Sequence, residues 1–273
     1  MALAKAGFTL GIRPVSTLRP HEETISSHVE GLAADMRREG IQKDPIIIDG
    51  DSATVLDGMH RLAAFTRLGI ENTVCCAVEY SSRSVSLGRW ARVYSLSAGH
   101  SIPEFLDPTE ITRRTTLAEA FEALERKEAP VAALTAGSAY LPVRSFDLHL
   151  AFSTINSLDK FAEDIGGRRS FVPEDDVDVP LQSERNVVLL VRRLGKDDVV
   201  EAGRTGKLFP CKTSMHRIDP RPVGVNFPID ELNGATTADL KARLSGTKEE
   251  LLPPETLYEG RRYKERLLLL SRK

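Results

Sequence analysis

The sequence predicts a mixed α/β (α+β) chain with two domains, an expectation that rests on three observations. Its 273 residues, 41% of them hydrophobic, can bury the core of one large domain or of two ordinary ones. The first hundred residues alternate short apolar runs with amphipathic stretches at helical spacing, the pattern of strands and helices packed in layers. In "SIPEFLDPTE" the prolines Pro103 and Pro108 interrupt regular structure, and the composition changes beyond them. We therefore expect an N-terminal domain over 1–105 and a second α/β domain over 106–273 that ends in a helical tail.

Taken in order, "PVSTLRPHEE" is loop-rich because its two prolines break regular structure, and it ends on His21, Glu22 and Glu23. From Thr24 to Glu39, Val29, Leu32, Ala33 and Met36 fall on one helical face, with Ser26 or Ser27 as N-cap and Gly40 as the stop. "DPIIID" and "ATVL" read as strands joined by the turn "DGDS", and the second strand runs into Asp57-Gly58. A helix is expected from Met59 to Leu68, ended by Gly69, and "NTVCCAVEY" is a third strand. Beyond the boundary, "TTLAEAFEALERKE" is helical, while "PVAAL", "SFDLHLAF" and "RNVVLLVRRL" read as strands. Between the last two, "EDIGGRRSFVPEDDVDVPLQSE" is polar and turn-rich, expected as a long loop or lid. Residues 197–229 read as a short helix, an irregular polar turn and a strand. The tail from Thr236 to Lys273 is charged and helical, with a break at Pro253-Pro254.

Composition narrows the function. The 37 basic residues nearly cancel 39 acidic ones, and the net charge of -2 offers no electrostatic footprint for a nucleic-acid backbone. Local basic clusters remain able to bind small anions. Cys75, Cys76 and Cys211 lack CxxC spacing and the companion histidines of a zinc site, and the opening "MALAKAGFTLGIRP" is too polar for a signal peptide. With no apolar run of bilayer-spanning length, the chain is expected to be soluble and cytoplasmic, without a membrane partner. The sequence sets no oligomeric state.

The stretch "TVLDGMHRLAAFTRLGI", Thr54 to Ile70, places an acid, a glycine, a histidine and an arginine where a strand turns into a helix. The helix start offers unpaired N–H groups and the positive end of a dipole, and Gly58 permits close approach of a ligand. Arg61 adds a fork suited to phosphate or carboxylate, His60 can donate to the same group, and Asp57 can accept a proton or help hold a divalent metal. The plainer alternative is a capped helix with His60 and Arg61 on a solvated face, and the spacing alone favours it. Glu22 and Glu23 could supply a general base, or merely two first-turn acids. In "KLFPCKTSMHR", Lys207, Lys212, Thr213, Ser214, His216 and Arg217 could cradle a polyanion or form a solvated basic turn. "GRTGK" lacks the spacing of a phosphate loop. Trp90, the only tryptophan, could stack on a ligand, with core packing as the default.

Together, "HEE", a helix, "PIIID" and "VLDGMHRLAAFTRLGI" resemble the ParB/sulfiredoxin-like fold in its free L-serine kinase branch, whose motif is an HE pair followed by a DGxHR box. The resemblance is densest from Pro14 to Tyr80 and resumes at "GKLFPCKTSMHR", similar to that branch's second nucleotide- and product-binding segment. Sulfiredoxin carries a reactive cysteine in the box, where this chain has Met59. ParB proteins carry a GERR-type box and a helix-turn-helix module, whereas the downstream half here is strand-rich.

The resemblance implies a kinase that transfers the terminal phosphate of ADP, or less favourably ATP, to free L-serine, giving O-phospho-L-serine for cysteine synthesis or siderophore supply. It aligns Glu22 with the catalytic base, Glu23 staying open as the alternative, and Asp57 with a second essential acid that helps hold Mg²⁺. His60, Arg61 and Trp90 fall on the substrate side. Gly58, Met59, Lys212, Thr213, Ser214, His216 and Arg217 fall on the nucleotide side, although Met59 departs from the histidine often found there, which argues against a direct ligand role. The two halves would close on serine and nucleotide. The runner-up is a ParB-like nucleotide-binding regulator or DNA-binding protein without kinase activity, and a third reading is a nuclease on this fold.

Overall fold

The early alternation of strands and helices builds a four-stranded sheet flanked by helices. This is a computed structural model; it describes residues 7–144 and 147–272, so the first six residues of the opening read above lie outside it. The chain enters through β1 (Phe8–Pro14), α1 (Ser26–Glu39), β2 (Ile41–Gln42), β3 (Ile46–Asp49), β4 (Val55–Asp57), α2 (Met59–Leu68) and β5 (Asn72–Val78). The sheet order is β1-β5-β3-β4, with β3 parallel to β5 and the other pairs antiparallel. All of β3 is buried, which suits a strand that is apolar on both faces. Helix α1 buries Val29, Ala33 and Met36 and ends at Gly40 with φ 69°, as the spacing predicts. Its N-cap is Ile25 rather than Ser26 or Ser27.

The next run comprises β6 (Val85–Ser95), α3 (Ile102–Leu106), β7 (Arg113–Thr115), α4 (Leu117–Glu125), β8 (Val131–Thr135), β9 (Ser138–Leu141), α5 (Leu148–Asp164), β10 (Arg168–Pro173) and β11 (Asn186–Val191). Its sheet has the order β10-β6-β11-β8-β9-β7 over a core that includes Val93, Leu124, Leu134, Val188 and Leu190. Two expectations are corrected here. The described part of "SFDLHLAF" belongs to α5, capped by Asp147, because Ala151, Ile155, Leu158 and Ala162 are buried at helical spacing that an eight-residue window cannot reveal. The expected long loop contains β10, an edge strand paired antiparallel with β6, and two short 3-10 turns.

The chain continues through α6 (Lys196–Thr205), β12 (Ser214–Ile218), β13 (Arg221–Val223), β14 (Phe227–Pro228), α7 (Ile229–Leu232), α8 (Thr237–Ser245), β15 (Thr247–Leu252), β16 (Thr256–Tyr258), β17 (Arg261–Tyr263) and β18 (Leu267–Arg272). The helical tail is thus corrected to one helix followed by strands. The four-leucine run at its end forms the middle strand of the sheet β13-β18-β15, and Leu267, Leu268 and Leu270 are buried there. A consecutive apolar run suits a strand covered on both faces.

Two units divide the chain: one holds the residues up to Ser86, Gly195–Cys211 and His216 onward, the other Leu87–Leu194 and Lys212–Met215. The single boundary expected near residue 105 is therefore replaced by crossings at 86/87, 194/195 and around 212–215. Pro103 does not open a linker. It lies in the first turn of α3, behind a capping box of Ser101 and Glu104, a position where proline's missing N–H costs nothing. Among the described residues no helix is long and apolar enough to cross a membrane.

Candidate active site

The junction of β4 and α2 explains the composition of the DGxHR box. Gly58 has φ 102°, and a Cβ there would sit 2.9 Å from Arg61 Nη2. The left-handed backbone favours glycine there, and the Arg61 guanidinium packs onto it. Arg61 Nη2 donates to Asp57 Oδ2 at 2.9 Å and to the Pro45 carbonyl at 3.1 Å. Arg221 reaches the same Asp57 oxygen, with Nη1 at 3.3 Å. It also donates to Glu265 Oε1 at 2.7 Å and to the His216 carbonyl at 2.8 Å. Burial alone would favour the neutral acid, but Arg221, Arg61 and Arg261 outweigh it and hold the Asp57 carboxyl well below the usual carboxylate range. Such a group keeps its charge and is a poor proton acceptor. Arg61 Nε is buried without a hydrogen-bond partner.

His60, expected on the substrate side, places Nε2 3.1 Å from the Ile25 backbone N–H, which donates to it. It thereby satisfies the N-cap N–H of α1 from the first turn of α2, a donor that a capping box meets with a glutamate or glutamine at the third helical position.

The two neighbouring glutamates separate clearly. His21 and Glu22 are buried, 0% and 4% exposed, while Glu23 is exposed. Glu22 forms a parallel bridge with Phe209: Glu23 N–H donates to the Phe209 carbonyl at 2.8 Å, and Phe209 N–H to the His21 carbonyl at 2.9 Å. The HE pair is thus joined to the second sequence block. Both glutamates line a cavity of about 990 Å³, whose wall includes Val15, Leu18, Met59, Leu62 and Ile70. His21 Nδ1–H donates to the Val55 carbonyl at 2.6 Å, which turns Nε2 toward Glu22 Oε1, 3.6 Å away.

The second block is not a cluster of exposed cations. His216 is buried, 2.7 Å from the Tyr80 hydroxyl through Nε2, and burial together with His21 pushes its pKa well down. It is a neutral imidazole, which corrects its reading as a cation. Thr213 and Ser214 are buried as well, and Arg217 is half-buried. Lys212 has φ 61°, and its Nζ lies 4.5 Å from the centre of the Trp90 ring, so two residues expected in the site meet. Among the described residues no three His, Cys, Asp or Glu converge as a metal-holding group. Sequence reasoning missed Arg221, Glu265 and Tyr80. Tyr80 was visible only as the end of a strand, and the two others carry no local pattern.

No protein-family model matches the chain. It is 35% identical over 89 residues to a ParB-like protein of Sulfolobus acidocaldarius, a match covering 33% of this chain and 43% of that relative. It is 24% identical over 233 residues to an ATP-dependent L-serine kinase of Staphylothermus marinus, covering 80% of this chain and 89% of the relative. To an ADP-dependent L-serine kinase of Thermococcus kodakarensis it is 22% identical over 227 residues, covering 79% and 89%. A solved structure of a free serine kinase variant in complex with ADP superposes with a TM-score of 0.68 at 19% identity, covering 83% of this chain and 94% of that one. The chain has the fold of the free serine kinases. The likeness to serine kinases spans about four fifths of the chain, whereas the ParB-like match spans a third.

Proposed function

We propose that this chain is a nucleotide-dependent kinase acting on free L-serine to give O-phospho-L-serine, with ADP as donor in preference to ATP. The observation that carries the reading is the buried Glu22, set between His21 and a cavity of about 990 Å³ that also exposes Met59 at the start of α2. A carboxylate so placed is suited to take the serine hydroxyl proton while Oγ attacks the terminal phosphorus and the bond to the bridging oxygen breaks. The backbone N–H groups at the α2 start and the Arg61 guanidinium supply donors toward phosphate oxygens. Asp57 acts through the two arginines it holds rather than as a base.

Trp90 and Lys212 are assigned to serine and nucleotide on the resemblance. The acids do not fit a resident Mg²⁺: Asp57 Oδ2 is shared by two guanidiniums, and among the described residues no second and third ligand converge with it. Mg²⁺ would arrive with the nucleotide phosphates, and no step above depends on it. Incubation with ADP or ATP and a panel of amino acids tests the reading. Phosphoserine formation supports it, while DNA binding without turnover favours a ParB-like regulator.

A further inference from the structure

We propose that Tyr80 and His216 are positioning residues for Glu22, acting through His21, an inference that rests on the kinase reading above. Tyr80, His216, His21 and Glu22 are 4%, 5%, 0% and 4% exposed, and they touch in series. The Tyr80 hydroxyl is 2.7 Å from His216 Nε2. The His216 and His21 rings meet edge to face, 5.4 Å apart at 83°, and His21 Nε2 lies 3.6 Å from Glu22 Oε1. Four polar side chains buried in a row are costly unless they serve one another.

The row is anchored at His21 and at Tyr80. Val55 fixes His21 through Nδ1. Lys196 donates to the Ser82 carbonyl at 3.1 Å and lies 5.1 Å from the Tyr80 ring centre. When the serine O–H bond breaks, its proton forms a new O–H bond on Glu22, and the His21 ring, with Nε2 3.6 Å behind that carboxyl, holds the carboxyl in place. Burial keeps His216 neutral, and the hydrogen bond between its Nε2 and the Tyr80 hydroxyl holds the ring in place.

Steady-state kinetics of Tyr80→Phe, alone and in a Glu22→Gln background, tests this. Alone, Tyr80→Phe should lower kcat about tenfold with both KM values unchanged, and on top of Glu22→Gln it should change residual turnover by less than about twofold, the mark of residues acting as a unit. His216→Asn, which still offers Tyr80 a polar partner, should retain more turnover than His216→Ala. In the ligand-free protein, the imidazole ¹⁵N shifts of His21 should move on Tyr80→Phe. An equal kcat loss in the Glu22→Gln background, a matched rise in both KM values, or unmoved His21 shifts overturns the inference. A wild-type protein that makes no phosphoserine overturns the kinase reading instead, and the His21 shifts still decide the positioning.

Discussion

Glu22 and Glu23 are adjacent and chemically identical, yet the fold buries the first beside His21 and exposes the second. Both line the cavity, and we assign the base to the one withdrawn from bulk water beside His21. Glu22→Gln should therefore lower kcat by about 10²- to 10⁴-fold while nucleotide binding persists, and Glu23→Gln should stay within about twofold of wild type, as is usual for an exposed side chain outside the chemistry. Steady-state kinetics with a calorimetric titration of nucleotide measures both. At this scale the grouping of the candidate residues was legible in the sequence, because Asp57, Gly58, His60 and Arg61 sit together in one short stretch. Their tasks were not legible. The partners that define them, Arg221 for Asp57 and Ile25 for His60, lie in other elements, and an ion pair or a cap leaves no trace in local spacing.

Among the elements, the Asp57 carboxylate ties α2 to β13 by holding Arg61 and Arg221 at once. Removing it leaves two positive groups facing each other, one of them buried. Asp57→Asn should cost roughly 2–4 kcal/mol at pH 7, below the scale for breaking a fully buried pair because Asp57 stays 29% exposed. Because the folded-state pKa of Asp57 is lowered, its contribution is fully present above the unfolded value of about 4 and fades as pH falls through the folded value. Denaturant melts should show the wild-type advantage over Asp57→Asn shrinking as pH is taken well below 4. Element assignment succeeded where periodicity ran long, as in α1, α4 and β11. It failed at α5 and in the C-terminal strands. In α5 the apolar face is spread over more than three turns, and in the tail the charged residues of β15 masked an edge strand that pairs with buried β18.

For the whole molecule, the first unit is assembled from three chain segments. His216, Phe209 and Arg221, which complete the surroundings of Glu22 and Asp57, come from beyond residue 194. A fragment covering 1–105 should therefore show no cooperative thermal transition, whereas the full chain unfolds cooperatively; circular dichroism melts compare the two. The sequence missed this interleaving because its proline signal at Pro103 starts a helix, while the true crossings fall at 86/87 and 194/195.

The central claim is that the chain moves the terminal phosphate of a nucleotide to free serine. Phosphorus NMR of the purified full chain with ADP, Mg²⁺ and L-serine, free of adenylate kinase, tests it most directly. The expected result is AMP and O-phospho-L-serine rising in equal amounts, with neither appearing from the Glu22→Gln protein above a small residual rate. Phosphoserine from ATP alone would overturn the donor assignment, and no phosphoserine from either nucleotide would contradict the kinase account itself.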